Sequence, residues 1–359
     1  MTDLLYSEEE EALRAAVRDL LSDHCAATDV LARVERPTPY EPALWKSLAE
    51  DMGLAGLLIP EDLGGQGASH REAAVVLEEL GRAVAPVPYL TSAVVATEAV
   101  LACGDPDLLG RLASGRELAA LAVGLHVAPG TGPGNVVVRD GVLHGEVSGV
   151  ADAVGVGVLL VPGDDGVLYE VEASGAGVSV VPQTSLDPTR PLGRVVLDGA
   201  AGRALGSAGP AVERALLAGA GLLASEQLGL SEWALTETVR YLKERRQFNR
   251  PVGGFQALKH RLAHLWLQVV NLRAAARSAA GALASGEDLG VSVSVAQAYA
   301  GGVAVHVTEE ALQLHGGLGM TWEHPVHLYV KRAKSDSLSY GTAGTHRALL
   351  SALVDLPAP

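Results

Sequence analysis

Two short segments gather residues able to hold a phosphorylated ligand. The first, LKERRQFNRPVGGFQ at 242–256, sets Arg245 and Arg246 beside Gln247, Phe248 and Gln256 around a turn from Asn249 to Gly254. An arginine fork suits a pyrophosphate because its planar N–H donors match phosphate oxygens in pairs. The second, QLHGGLGMTWEHP at 313–325, places Gln313 ahead of Gly316 and Gly317, and glycines let phosphates approach backbone amides closely. Each segment alone also reads as a helix end, where cations favour the dipole and glycine caps the last turn. Neither has a G-x-G-x-x-G or P-loop spacing after a strand, so neither a Rossmann nor a Walker site is indicated.

A third segment, SYGTAGTHR at 339–347, follows a basic helix end with Lys331, Arg332 and Lys334 and reads as a turn into a last helix. Tyr340 holds a place suited to a site, yet a phenol with an ordinary pKa of about 10 is a poor base at neutral pH. His260 and His264 stand four apart but lack the Glu of H-E-x-x-H and a third ligand, so they read as solvated helix polarity. Ser225 and Ser231 lie mid-helix without a nucleophile elbow. Trp45, Trp233, Trp266 and Trp322 read as core or interface anchors.

The elements that must position these groups fall into three zones. Residues 1–117 have a helical period, with Leu13, Val17 and Leu20 on one face and Ala73, Leu77, Leu80 and Val84 on another, joined through the loop IPEDLGGQGAS. Residues 118–207 turn to Val and Gly, and the β-prone runs flanking Asp140-Gly141 signal a hairpin in a small β domain. Residues 208–359 return to the helical period. Three long helices are marked by Leu217 to Leu242, Leu258 to Leu283 and Val293 to Leu314, and Pro325 opens a fourth, which argues an antiparallel bundle.

Composition narrows the function. The 359 residues carry 42 acidic and 27 basic side chains, a net charge of −15 that repels nucleic acid and anionic bilayers. Cys25 and Cys103 are too few for a disulfide framework or a zinc site, which fits a reducing cytoplasm. The acidic N-terminus is unlike a signal peptide, and the apolar runs read as too short to span a membrane.

The order helical domain, small β domain, helical bundle, with these segments in these loops, resembles the acyl-CoA dehydrogenase family over almost the whole chain. LWKSLAEDMGLAGLLIPEDLGGQGAS, followed by VLEELGRAVAPVPYL, is similar to the family's N-terminal signature. ERRQFNRPVGGFQALKHRLA is similar to its R-x-x-F-G-x-x-x-x-x-x-Q segment, with Asn249 for the usual Gly, and QLHGGLGMTWEHPVHLYVKRAK to its Q-x-x-G-G-x-G stretch. The resemblance implies a mostly α fold with a middle β-barrel-like domain and a C-terminal four-helix bundle. It also implies an FAD-dependent reaction, in which a carboxylate takes the α-proton of an acyl-CoA thioester while the β-hydrogen passes as hydride to the flavin.

The same resemblance shows what is missing. The family's base, a Glu directly before Gly-Thr, is replaced by Tyr340, and the alternative base position on the first bundle helix falls on Gly219. LLAGAGLLA at 216–224 lacks the charges that hold CoA-bound substrate. The own-subunit flavin loop falls on LHVAPGTGPGN at 125–135, without its Ser and acidic residue, and the W-x-T stretch on EVSGVADA at 146–153, without an aromatic. What remains is the share that a neighbouring subunit gives to the flavin's pyrophosphate and adenosine end: Arg245, Gln247, Phe248, Gln256, Gln313, Gly316 and Gly317. The expectation is therefore a subunit without a catalytic residue, sharing FAD with a homologous catalytic partner in an α2β2 heterotetramer. Acyl-CoA would be bound mainly by the partner, and an electron-transfer protein would accept the electrons. The alternatives are a homomeric enzyme with Tyr340-based chemistry and a flavin-free binding or scaffold protein.

Overall fold

The computed structural model describes residues 4–36, 40–132 and 136–356. The chain opens with α1 (Glu8–His24), α2 (Ala27–Arg33), α3 (Pro42–Lys46), α4 (His70–Ala83), α5 (Thr97–Cys103) and α6 (Pro106–Ala113). Capping boxes start α1 and α4: Ser7 with Glu10, and Ser69 with Glu72, each satisfy amides that a first helical turn leaves unpaired. The loop IPEDLGGQGAS thus ends on the Ser69 cap. Between α4 and α5, Tyr89–Ala96 winds as a π-helix with every residue buried, a geometry that is often found at functional sites.

Eight strands follow: β1 (Ala119–Leu121), β2 (Val137–Arg139), β3 (Val142–Ala151), β4 (Val158–Pro162), β5 (Val167–Glu172), β6 (Val178–Gln183), β7 (Leu192–Ala201) and β8 (Arg203–Ser207). They form two four-stranded sheets, ordered β1-β4-β5-β8 and β2-β3-β7-β6, with β1 and β4 parallel and the other pairs antiparallel. Asp140 and Gly141 make the two-residue β2–β3 turn, both with positive φ, 50° and 79°, the primed turn that Asp-Gly favours.

The remaining helices are α7 (Ala208–Glu244), α8 (Gln256–Ser285), α9 (Leu289–Leu314), α10 (Val326–Asp336) and α11 (Ala343–Leu353), with a small hairpin of β9 (Arg246–Gln247) and β10 (Arg250–Pro251) between α7 and α8. α7 and α4 cross with backbones in contact: a Cβ on Gly229 would lie 1.9 Å from the Glu78 carbonyl oxygen, and one on Gly81 would lie 2.2 Å from that of Glu226. Trp45 is buried and donates from Nε1 to the Gly115 carbonyl at 2.8 Å, and Trp233 stacks on Tyr329 with ring centroids 3.5 Å apart. Trp266 and Trp322 are exposed.

One sequence reading is corrected here. Leu289–Leu314 is long and apolar enough to cross a membrane by length and composition, and half of its most apolar stretch is buried inside the fold. Val293, Ala296, Ala300, Val307 and Ala311 form part of the protein core, so its apolarity is that of a central bundle helix.

Candidate functional site

Tyr340 is buried, and its backbone adopts the left-handed conformation with φ 51°. That conformation is strained for a bulky residue, and hydrogen bonds on both sides hold it. Its amide donates to the Leu125 carbonyl at 2.7 Å, and its own carbonyl accepts from His346 Nε2 at 2.9 Å. The next turn begins cleanly, because Thr342 caps α11 by accepting from the Thr345 amide at 3.2 Å.

The phenol ring lies against α7. A Cβ on Gly219 would meet the ring carbons Cε1 and Cζ at 3.1 Å and Val95 Cγ2 at 2.9 Å. The two positions that could carry a base therefore share one space, and Tyr340 fills it. Around the ring, Thr91, Val95, Leu121, Leu125 and Leu216 leave a cavity of about 20 Å³, room for roughly one water molecule. Burial pushes the phenol well above its usual pKa; the Arg190 charge opposes this, and Asp152, Glu226 and Asp336 reinforce it.

Arg190, Glu226 and Asp336 belong to a buried cluster that the sequence did not reveal. Arg190 donates to Asp336 Oδ1 at 2.6 Å and to both Glu226 oxygens at 2.9 and 2.7 Å. Arg332 donates to Glu226 Oε1 and Thr189 Oγ1, each at 2.6 Å, and pairs with Asp187. Burial alone would raise Glu226, but the two guanidinium groups hold its carboxyl below the ordinary range. Burial together with the Glu226 charge drives Asp336 above that range. The two guanidinium groups face the carboxyl groups of Asp187, Glu226 and Asp336, the pairing that buried charges require. The cluster ties the loop before β7 to α7 and α10. Arg332, read from sequence as part of a basic helix end, is 3% exposed.

The other candidate residues sit elsewhere. Arg245, Gln247, Phe248, Gln256, Gln313, Gly316 and Gly317 are all exposed. Phe248 and Asn249 form the β9–β10 turn with φ 49° and 59°, which turns the Phe248 ring outward to 87% exposure. Among the described residues the Arg245 guanidinium has no hydrogen-bond or ion-pair partner. The two segments meet at one end of the bundle: Tyr241, one turn before Arg245, stacks on His315, which directly precedes Gly316, with centroids 4.6 Å apart. Met320 and Trp322, both 75% exposed, continue the apolar part of this face. His260 and His264 are exposed on α8.

A family model described as the acyl-CoA dehydrogenase N-terminal domain matches residues 7–115, and one described as the C-terminal domain matches residues 209–354. The chain belongs to the acyl-CoA dehydrogenase family. It is 35% identical to acyl-CoA dehydrogenase IpdE2 of Mycolicibacterium smegmatis over 336 residues, 93% of this chain and 95% of that protein. Among solved structures it is similar to the Tcur3481-Tcur3483 steroid ACAD, at 31% identity and TM-score 0.86, covering 97% of this chain and 98% of that one. It is also similar to the ChsE4-ChsE5 complex from Mycobacterium tuberculosis, at 29% identity and TM-score 0.87, covering 99% and 100%.

Membership of this family of flavin-dependent oxidoreductases makes the fit of FAD a physical question. Beside Tyr340 the ring system does not fit. The Leu125 loop bonds directly to the Tyr340 amide, and about 20 Å³ is far below the roughly 300 Å³ of small ligand sites. Of that loop, residues 133–135 lie outside the described residues. At the exposed end the donor set is chemically suited to a pyrophosphate: an unpaired guanidinium near a glycine turn at which a Cβ on Gly316 or Gly317 would meet nothing within 4 Å.

Proposed function

We propose that the chain is the non-catalytic subunit of a heteromeric, FAD-dependent acyl-CoA dehydrogenase, an α2β2 heterotetramer with a homologous catalytic partner. The partner carries the carboxylate base, the flavin-ring pocket and most of the acyl-CoA contacts. This chain reaches across the interface with Arg245, Gln247, Phe248, Gln256, Gln313, Gly316 and Gly317 to the pyrophosphate and adenosine end of the partner's FAD. Bound there, FAD supplies the hydride acceptor for α,β-desaturation of the thioester, and an electron-transfer protein in the cytoplasm reoxidises it.

One observation carries this reading. The inward site is filled by Tyr340, whereas all seven outward candidates are exposed at one end of the bundle, with the Arg245 charge unpaired among the described residues. The similarity to the ChsE4-ChsE5 complex supports a heteromer, and that to a steroid ACAD favours a bulky, steroid-derived acyl-CoA.

Arg245→Ala tests the assignment in the assembled complex. A charge-assisted hydrogen bond to FAD is worth about 1.5–3 kcal/mol, so FAD affinity should fall roughly 10- to 150-fold, while turnover of the flavin-loaded fraction stays near that of the parent. An unchanged FAD affinity would leave Arg245 as a helix-end charge only.

A further inference from the structure

We propose that Glu237, His315 and His324 form a site for a divalent transition metal of the Zn²⁺ type, which ties the end of α7 to the glycine turn after α9. One potential ligand atom from each residue lies within 4.8 Å of the other two. The three come from α7, the end of α9 and the loop before α10, so the fold brings together what the sequence keeps far apart.

The His315 ring is the strongest sign. It is 1% exposed, and its Nδ1 donates to the Ala311 carbonyl at 2.7 Å. That bond leaves Nε2 with the lone pair in the neutral ring, the arrangement by which a backbone carbonyl orients a metal-binding histidine. Nε2 is buried without a hydrogen-bond partner, an expensive way to leave a polar atom. Stacking between Tyr241 and His324 accounts for the packing of the ring but not for this unmet acceptor.

The other two ligands are able to move. Glu237 and His324 are both partly exposed, so the group can contract toward the spacing of about 3.3 Å that tetrahedral zinc with bonds of roughly 2 Å demands. Arg240 holds both Glu237 oxygens, at 2.9 and 2.5 Å, but it is 58% exposed and also reaches Glu244 at 3.0 Å, so a metal ion would compete with it for the carboxylate. His324 Nδ1 takes only a long 3.3 Å bond from the Val326 amide. Two imidazoles and one carboxylate suit zinc and similar borderline ions, with positions left for water. The site stands apart from the Tyr340 pocket and does not depend on the proposed flavin role.

Zinc retention by the full-length chain tests this. His260 and His264, exposed four residues apart, could take an ion adventitiously, so both are first replaced by alanine. After stripping with a chelator, loading with ZnCl₂ and gel filtration, one equivalent of zinc should remain. His324→Ala and Glu237→Gln should each bind zinc at least about tenfold more weakly, as loss of even a supporting group does. Loaded with Co²⁺ instead, the parent should show the visible absorption band of a low-coordinate site, and the two variants should lose it. A parent that retains no zinc, or variants that retain as much as the parent, would overturn the proposal.

Discussion

The proposed non-catalytic role turns on Tyr340. Its ring occupies the space shared with Gly219, burial keeps the phenol protonated, and its hydroxyl has no hydrogen-bond partner among the described residues. Tyr340→Phe should therefore keep turnover of the assembled enzyme within a few-fold and change stability by less than about 1 kcal/mol. A loss of about 100-fold, the size of general acid or base catalysis, would make the tyrosine catalytic and favour a homomeric enzyme. Tyr340→Glu should give no activity at this chain's own site. A carboxylate without an oriented substrate and hydride acceptor lacks the several kcal/mol, about 7 or more, that orientation supplies. That Tyr340 stands directly before Gly-Thr was legible in the sequence as a single letter. That the ring also closes the Gly219 position was not, because 121 residues separate the two (340 less 219) and only the α7 packing joins them.

The elements were legible where a local period or a turn residue controls them. Asp140-Gly141 is the β2–β3 turn, and the long apolar periods became α7, α8 and α9. The Arg190–Glu226–Arg332 cluster was not legible, because its partners lie 36 to 146 residues apart and each looks like an ordinary surface charge in sequence. The same holds for Glu237, His315 and His324. The α4–α7 crossing offers a sharp test of the packing. With the Gly229 Cβ position only 1.9 Å from the Glu78 carbonyl oxygen, Gly229→Ala must push two backbones apart. It should cost at least about 1–3 kcal/mol, read as a lower midpoint in urea. An unchanged midpoint would show that the helices do not meet there.

At the scale of the whole molecule, an acidic chain presents one end with an arginine that has no partner among the described residues, a glycine turn and exposed Phe248, Met320 and Trp322. Exposed aromatic and apolar groups beside a cation are the chemistry that protein interfaces use. The most direct measurement is FAD content per polypeptide, taken on the chain purified alone and on the chain co-purified with an acyl-CoA dehydrogenase subunit that carries the catalytic glutamate. The proposed subunit role expects little or no flavin on the chain alone and about one FAD per heterodimer, since this chain has about 20 Å³ beside Tyr340 and so no room for the ring. A yellow homo-oligomer holding one FAD per chain would contradict it.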